Sequence, residues 1–572
     1  MTGPPFGSAI GQDEGSSGER ASGTDVRPTA GMLLPALILW ALFLSTSFVR
    51  APIPAVNEPH YLGKARSVWN PDWCPGDFFL ESSNPHLVFY WTIGWLTKWL
   101  TLAQTAAVAR AASFALLAAA WTLFSRELFR SRWTGLLAAC LFNLLMAFGN
   151  FSGEWLIGGV ESKVFSYAFV FFAAAAWFRA RPVLAAGLTV AAVAYHPVAG
   201  LWTVIAAGMV AVDYLWRGRK SSGSKDASQI DRQVLAVDQE TSTRDISTRT
   251  LSTAAMVLTV GTVAAIAPAL PVVLGSAPEI GRQADRLLLT QRVGHHTDPL
   301  LFLDSSYLYY GVLLGVWLGA WFVSSPGPPL RLVQRFVAAS LVIAAVGLFI
   351  GWLPEFSSVD RLHPLRLWLL KFYPFRLADL ALPAGIALWI GYWCDRPAQG
   401  EVSPARSWRL GSLAALAWIV ALLLPAPDAN PSGMTERVYD DWITVCRWLR
   451  DHTPTDALIA TSNEDWAIKW YADRPEYVSF KDCPQDAAGI VEWWRRRQGL
   501  VHWSRQSKAD GVISAADLDE LHRQTGIDYL VVSRYGPFDV SPVFEFGPFK
   551  VYPVRLEPSP ENRRRTTPPA GP

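Results

Sequence analysis

Four short stretches carry side chains able to move a proton or hold an anion. The first is Asn57-Glu58-Pro59-His60-Tyr61, followed by Asp72 and Asp77. Glu58 is a carboxylate that can take a proton from a hydroxyl within hydrogen-bond reach. Its plainer role is an interfacial carboxylate that caps a helix or pairs with a neighbour. Asp72 and Asp77 read as turn residues, Asp77 directly after Gly76, with a catalytic or metal role as the alternative. The second stretch is Gly153-Glu154-Trp155 with Gly158-Gly159-Val160-Glu161-Ser162-Lys163. There Glu161 and Lys163 either pair with each other or orient a ligand brought close to backbone by the two glycines. The third, Arg292-Val293-Gly294-His295-His296, suits a phosphate better than a metal, because adjacent histidines rarely point the same way; a solvated loop is the alternative. The fourth, Lys371-Phe372-Tyr373-Pro374-Phe375-Arg376, places Arg376 at the start of an apolar run. That arginine either snorkels to the headgroups or grips a phosphate.

The elements that must position these residues are membrane spans. Of 572 residues 51% are hydrophobic and 17% charged, against about 25% charged in soluble domains. Many of the 27 tryptophans lie near the ends of apolar runs, as in an interfacial belt. A net charge of +2 gives no case for nucleic acid. A span needs about 20 apolar residues. Eleven runs qualify, at roughly 31–49, 103–124, 133–149, 163–179, 182–197, 198–216, 251–274, 303–323, 336–353, 376–394 and 409–426. The first follows a long polar tail without a small-residue cleavage site, so it is a retained span rather than a signal peptide. His196-Pro197 reads as a turn between two spans. The segment His86 to Leu100 is short and Trp-rich and contains Lys98; it is expected to lie along the outer surface, with a twelfth span as the alternative.

Charge bias chooses between them. Eleven spans with a cytoplasmic N-terminus place Arg126/Arg130/Arg132, Arg179/Arg181, Arg217/Arg219/Lys220, Arg331/Arg335 and Arg396/Arg406/Arg409 in the cytoplasm. All four motif stretches then face outside. Arg282, Arg286, Arg361 and Arg366 do too, against the bias, and a phosphate that matches the guanidinium fork is one reason for them. Residues 1–30 read as a disordered cytoplasmic tail and 31–428 as the transmembrane domain, with a first outer loop at 50–102 and a cytoplasmic linker at 217–250. Residues 429–556 regain charge and read as a small extracytoplasmic α/β domain. It has strands at 457–461 and 527–533, helices at 487–497 and 515–524, and a terminal hairpin around Gly547-Pro548. Residues 557–572 read as a second disordered tail. Cys74, Cys446 and Cys483 fall outside, where a disulfide can form, but sequence does not choose a pair.

With these motifs in place, the chain resembles GT-C-type membrane glycosyltransferases, such as protein mannosyltransferases and lipid A aminoarabinose transferases. Asn57-Glu58 stands where that class carries an acidic pair in its first outer loop, here with Asn first. His86 to Leu100 stands where its interfacial helix lies, and the Ser125–Arg132 turn where a basic loop follows the second span. The Gly-Gly-Val-Glu-Ser-Lys, His-His and Pro-Phe-Arg elements also resemble a bacterial multi-pass family of unknown function. The resemblance implies a polytopic all-α GT-C-like domain in a bacterial inner membrane. It implies transfer of a sugar from a polyprenyl-phosphate donor to an envelope glycan, lipid or protein acceptor on the extracytoplasmic side. Glu58, with Asp77, would be catalytic. Arg286, Arg292 and Arg376 would hold the phosphate, and Asn57, His60, Glu154, Glu161, Lys163, His295 and His296 would contact substrate. No cofactor is implied, and the single carboxylate at Asn57-Glu58 argues against a divalent metal without deciding it. A transporter or flippase for a lipid-linked or anionic solute, and a non-catalytic envelope scaffold, are the rival classes. Transporters usually show an internal repeat, and none is visible here.

Overall fold

The computed structural model describes residues 33–223, 247–396, 403–461, 466–533 and 536–554. The two expected tails and most of the 217–250 linker lie outside these residues. Eight helices are long and apolar enough to cross a membrane: Leu33–Arg50, Leu102–Leu128, Pro197–Arg217, Thr248–Leu274, Asp304–Val323, Pro328–Phe356, Arg376–Asp395 and Pro404–Leu423. Three shorter apolar helices, Arg132–Phe148, Ser162–Phe178 and Pro182–Tyr195, stand with them. These helices sit at the positions of the eleven apolar runs, and the chain is an integral membrane protein built on an all-α bundle. The segment after His86 is broken into Leu87–Thr92 and a 3-10 turn, Gly94–Lys98. Neither piece approaches the length a crossing needs. His196 closes one helix, and Pro197 opens the next at a position where a missing N–H costs nothing.

The helix Arg376–Asp395 runs through the centre of the bundle and is its most buried span. Small residues let its neighbours approach closely: a Cβ on Gly391 would lie 2.7 Å from the Phe129 ring. This one helix ties both ends together. At one end Asp395 accepts from the Arg130 and Ser131 amides at 2.8 and 3.3 Å, and Arg179 pairs with Glu127 at 2.8 Å. The short basic loops gather there. At the other end lie Arg376, the loops that precede it, and the C-terminal domain.

That domain holds a four-stranded sheet of order β1-β2-β4-β3, with β1 Ile459–Thr461, β2 Tyr529–Ser533, β3 Phe544–Phe546 and β4 Phe549–Pro553. β1 pairs parallel to β2, and the other two pairings are antiparallel. The helix Glu436–His452 turns Trp442, Val445, Cys446 and Leu449 onto the sheet, the helical spacing of a single apolar face. All five cysteines are free.

Candidate functional site

A cavity of about 820 Å³ opens where the C-terminal domain meets the end of the bundle. The volume falls within the roughly 300–1,000 Å³ of small-molecule sites. Eight of the residues singled out from sequence line it: Asn57, His60, Glu161, Lys163, Arg292, His295, His296 and Arg376. They come from four separate loops and span ends.

The acidic side of the cavity is fixed by the central helix. Asp379, one turn below Arg376, accepts from the amides of Phe151 at 2.6 Å, Ser152 at 2.8 Å and Glu154 at 3.3 Å, and from the Ser152 hydroxyl at 3.0 Å. This locks the Asn150–Trp155 loop on the bundle and sets buried Glu154 between two cations. Glu154 Oε2 lies 3.4 Å from Arg376 Nε and 3.8 Å from Lys163 Nζ, with no hydrogen bond of its own. Lys163 also meets Glu161 Oε2 at 3.2 Å and stands 3.9 Å over the Trp155 ring. Asn57 Nδ2 donates to the other Glu161 oxygen at 2.6 Å. Arg376 stacks over Tyr373 at 3.8 Å, and Tyr373 itself sits at φ +52°, an uncommon conformation for a bulky residue.

The opposite wall is cationic. Arg292 stacks on Phe480 at 4.9 Å and donates to the Lys481 carbonyl at 3.1 Å, while its Nε is buried without a partner. Lys481 comes from the C-terminal domain and lines the cavity. Burial, reinforced by Arg292, pushes its ammonium down to about 8. Among the described residues no carboxylate lies within 4 Å of Arg292 or Lys481. Five of the nine histidines line the cavity. Burial holds His60, His295 and His296 below the usual imidazole value, His296 down to about 3, so they stand neutral. His296 Nδ1 donates to the Ser152 carbonyl at 2.8 Å, and Gly153 at φ +85° leaves room for that ring. His295 and His296 rings lie 4.0 Å apart, tilted by 46°, which does not aim two lone pairs at one metal. Among the described residues no group of three His, Cys, Asp or Glu side chains could hold a metal ion.

His60 carries a second feature. Its Nδ1 lies 3.0 Å from Asp482 Oδ1, across 422 residues of chain. Burial would raise the Asp482 carboxyl, but Lys469 at 2.7 Å, with His60, holds it well below the carboxylate range. A carboxylate on Nδ1 fixes the ring and leaves Nε2 as the free acceptor.

Glu58 has its oxygens engaged by protein. It is fully buried and held by Arg110, which donates from Nε to Oε1 at 2.7 Å and from Nη2 to Oε2 at 2.8 Å. The amides of Ala55 and Val160 take further lone pairs at 2.7 and 2.9 Å, and Glu58 does not line the cavity. Asp77 is equally engaged. Its oxygens accept from the Phe79, Leu80 and Glu476 amides and pair with Lys469 at 3.2 Å. Arg286 is exposed on Pro278–Leu287 and lies outside the cavity lining, as does exposed Asp72. Arg366 and Arg361 are tied to Asp298 at 2.6 and 3.1 Å, and Arg282 pairs with Glu279 at 3.2 Å. The arginines of these loops thus divide: Arg292 and Arg376 face the cavity, and Asp298 accounts for two of the others.

The paired glycines admit neighbouring side chains, and Gly158 also lines the cavity. A Cβ on Gly159 would stand 2.5 Å from Ala55 Cβ and 3.2 Å from Glu58 Cδ, and one on Gly158 2.7 Å from the Trp155 ring. Gly159→Ala is therefore expected to destabilise the fold by about 1–3 kcal/mol through overpacking. A thermal melt of the purified variant checks this, and an unchanged midpoint would contradict it.

Sequence reasoning missed Arg110, Asp379, Asp428, Lys469, Lys481 and Asp482. Asp428 lines the cavity, its carboxyl raised by burial and then by Glu161. Arg110 and Asp379 carried a usable signal, because a lone charge inside an apolar span demands a partner.

The stretch 440–500, which contains Lys469, Lys481 and Asp482, matches a family described as a domain of unknown function (DUF6798). The bacterial family proposed on the motifs before residue 377 is not shown by that match. No curated protein matches the chain. Among solved structures, a single-particle cryo-EM structure of the arabinofuranosyltransferase AftD from Mycobacteria is similar at 14% identity and a TM-score of 0.44, covering 91% of this chain and 40% of that one. A mutant form of the same protein gives 14% and 0.45, covering 92% and 42%. The chain thus spans about two-fifths of the length of those structures.

Proposed function

We propose that this chain is a membrane glycosyltransferase that moves a sugar from a polyprenyl-phosphate donor to an acceptor hydroxyl at the extracytoplasmic surface. One observation carries the reading. One cavity, at the bundle end away from the basic loops, joins two cations that have no carboxylate within 4 Å among the described residues to a carboxylate–lysine cluster and a histidine backed by an aspartate. The basic loops support a cytoplasmic N-terminus, which puts the cavity and the C-terminal domain outside.

In this reading the donor phosphate lies against Arg292 and Lys481, with Arg376 at its side. Charge that develops on the departing oxygen then meets fixed cations in a site shielded from water. Val272 and Val273 line the cavity at the end of Thr248–Leu274, where the lipid chain passes between spans. Glu161, Lys163 and Asn57 hold sugar hydroxyls. The acceptor oxygen attacks the anomeric carbon, the carbon–oxygen bond to phosphate breaks, and phosphate leaves with the electron pair. The acceptor proton goes to His60 Nε2, with Asp482 steadying the imidazolium that forms.

Arg292→Met and Lys481→Met, made singly, are expected to weaken binding of a polyprenyl-phosphate sugar by roughly 10- to 100-fold, the worth of one charge-assisted hydrogen bond. Binding to protein in detergent measures this, with mass spectrometry of the copurifying lipid to name the sugar. Unchanged affinity in both variants would remove the phosphate from this wall. Movement of labelled donor across vesicles without glycosylated product would favour the transport class instead.

A further inference from the structure

A second cavity, of about 780 Å³, lies on a different face and shares no lining residue with the first. One side is the helix Glu436–His452 of the C-terminal domain. With one face packed on the sheet, its other face presents Tyr439, Ile443, Arg447 and Arg450 to this space. The other side is the turn Gly94–Lys98 and the residues after it, Trp99 to Ala103, where the span Leu102–Leu128 begins. Arg66, Trp470 and Tyr471 close the end.

Two properties of this cavity point to its ligand. The first is charge. Four cations, Arg66, Lys98, Arg447 and Arg450, face two acids, Asp440 and Asp473, and Arg450 is paired with Asp451 at 3.0 Å. Asp473 is already used, by Arg66 at 3.2 Å and by Trp73 Nε1 at 2.8 Å. Lys98 stands 5.4 Å over the Trp69 ring. Among the described residues neither Lys98 nor Arg447 has a carboxylate within 4 Å. Arg66 Nε is buried with no partner. The second is depth in the bilayer. Trp91, Trp95 and Trp99 are exposed, at 56%, 47% and 63%, and lie on the segment that runs along the bundle end. Exposed indoles in such a segment mark the headgroup level. Below the cavity the span continues with exposed Ala103 and with Val108 at 44%, an apolar face on which acyl chains can rest.

We propose that this cavity binds the phosphate headgroup of an anionic phospholipid, with the acyl chains lying along Leu102–Leu128. Guanidiniums match phosphate oxygens in pairs, and Tyr439 and Tyr471, whose hydroxyls bond to each other, line the same space. The lipid bridges the membrane domain and the C-terminal domain, so its binding fastens that domain to the bilayer at the correct height. The inference needs the bundle to be in a membrane and does not need the chain to be a transferase.

The test uses the full-length protein in nanodiscs of phosphatidylcholine, with and without phosphatidylglycerol. Retained lipid is counted by native mass spectrometry after gentle release. Lys98→Ala and Arg447→Ala are exposed changes away from the first cavity, and a melt confirms that each variant is folded. A basic residue at an anionic surface is worth about 5-fold in binding, so the double variant is expected to hold phosphatidylglycerol roughly 30-fold more weakly. Phosphatidylcholine retention should not change. Equal phosphatidylglycerol retention by wild type and the double variant would overturn the proposal. So would full displacement of the lipid by millimolar inorganic phosphate, which would assign the cavity to a free phosphate group instead.

Discussion

His60→Asn is expected to slow sugar transfer by about 10²–10⁴-fold, the range for loss of a positioned general base, while donor binding changes little. The expectation follows from where the lone pairs are. Glu58 has spent its oxygens on Arg110 and two amides. Glu161 has Asn57 on one oxygen and Lys163 on the other. His60 lines the same cavity with Nδ1 bound to Asp482, so Nε2 remains to receive a proton. The sign of the pH dependence is fixed too. Burial lowers the His60 value below 6.5, against the opposing pull of Asp482. The basic form is therefore present at pH 6.5 and above, and turnover should fall only as pH drops through a limb below 6.5. Asp482→Asn removes the group that raises the value, so the limb should move to lower pH and the rate above it should drop. A His60 that merely fastened the C-terminal domain would behave otherwise. His60→Asn would then lower melting temperature and donor affinity together and leave the limb where it was. Measuring kcat against pH with donor binding separates the two.

Much of this geometry was legible, and the rest failed for physical reasons. Spans must satisfy every backbone group within a helix, so long apolar runs have few other readings, and the helices stand where those runs are. The strands around Ile459 and Val531 announced themselves by β-branched residues between turns. Cavity residues such as Arg292 and Arg376 were visible because a cation in an outer loop opposes the charge bias. That same signal did not separate them from Arg361 and Arg366, since residue type says nothing about whether an aspartate such as Asp298 waits nearby. The same holds for Glu58: its partner is 52 residues away, inside the next span, and residue type does not announce it. The pairing of Asp482 with His60, and of Lys481 with Arg292, crosses from one domain to the other. Local pattern holds no trace of such contacts.

The Glu58–Arg110 pair separates a structural from a catalytic role for the carboxylate. Both side chains are fully buried, and Arg110 also holds the Ala51 and Pro52 carbonyls at 2.8 and 2.6 Å. The pair therefore pins the segment after Arg50 to Leu102–Leu128 and sets the direction in which Asn57 and His60 project. Removing one partner leaves an uncompensated charge, which costs about 3–5 kcal/mol, whereas replacing both by apolar groups of similar volume is often neutral. Glu58→Gln and Arg110→Met are each expected to lower stability by that amount, read from melts and from survival in detergent. Glu58→Leu combined with Arg110→Met should regain most of the loss. Turnover per folded molecule should then lie within a few fold of wild type in the double variant, because in the proposed reaction the proton goes to His60. Arg110→Met that melts like wild type, beside Glu58→Gln that is folded and inactive, would return the base to Glu58 and remove His60 from the reaction. The two outcomes cannot both occur, since one places the carboxylate in the scaffold and the other in the chemistry.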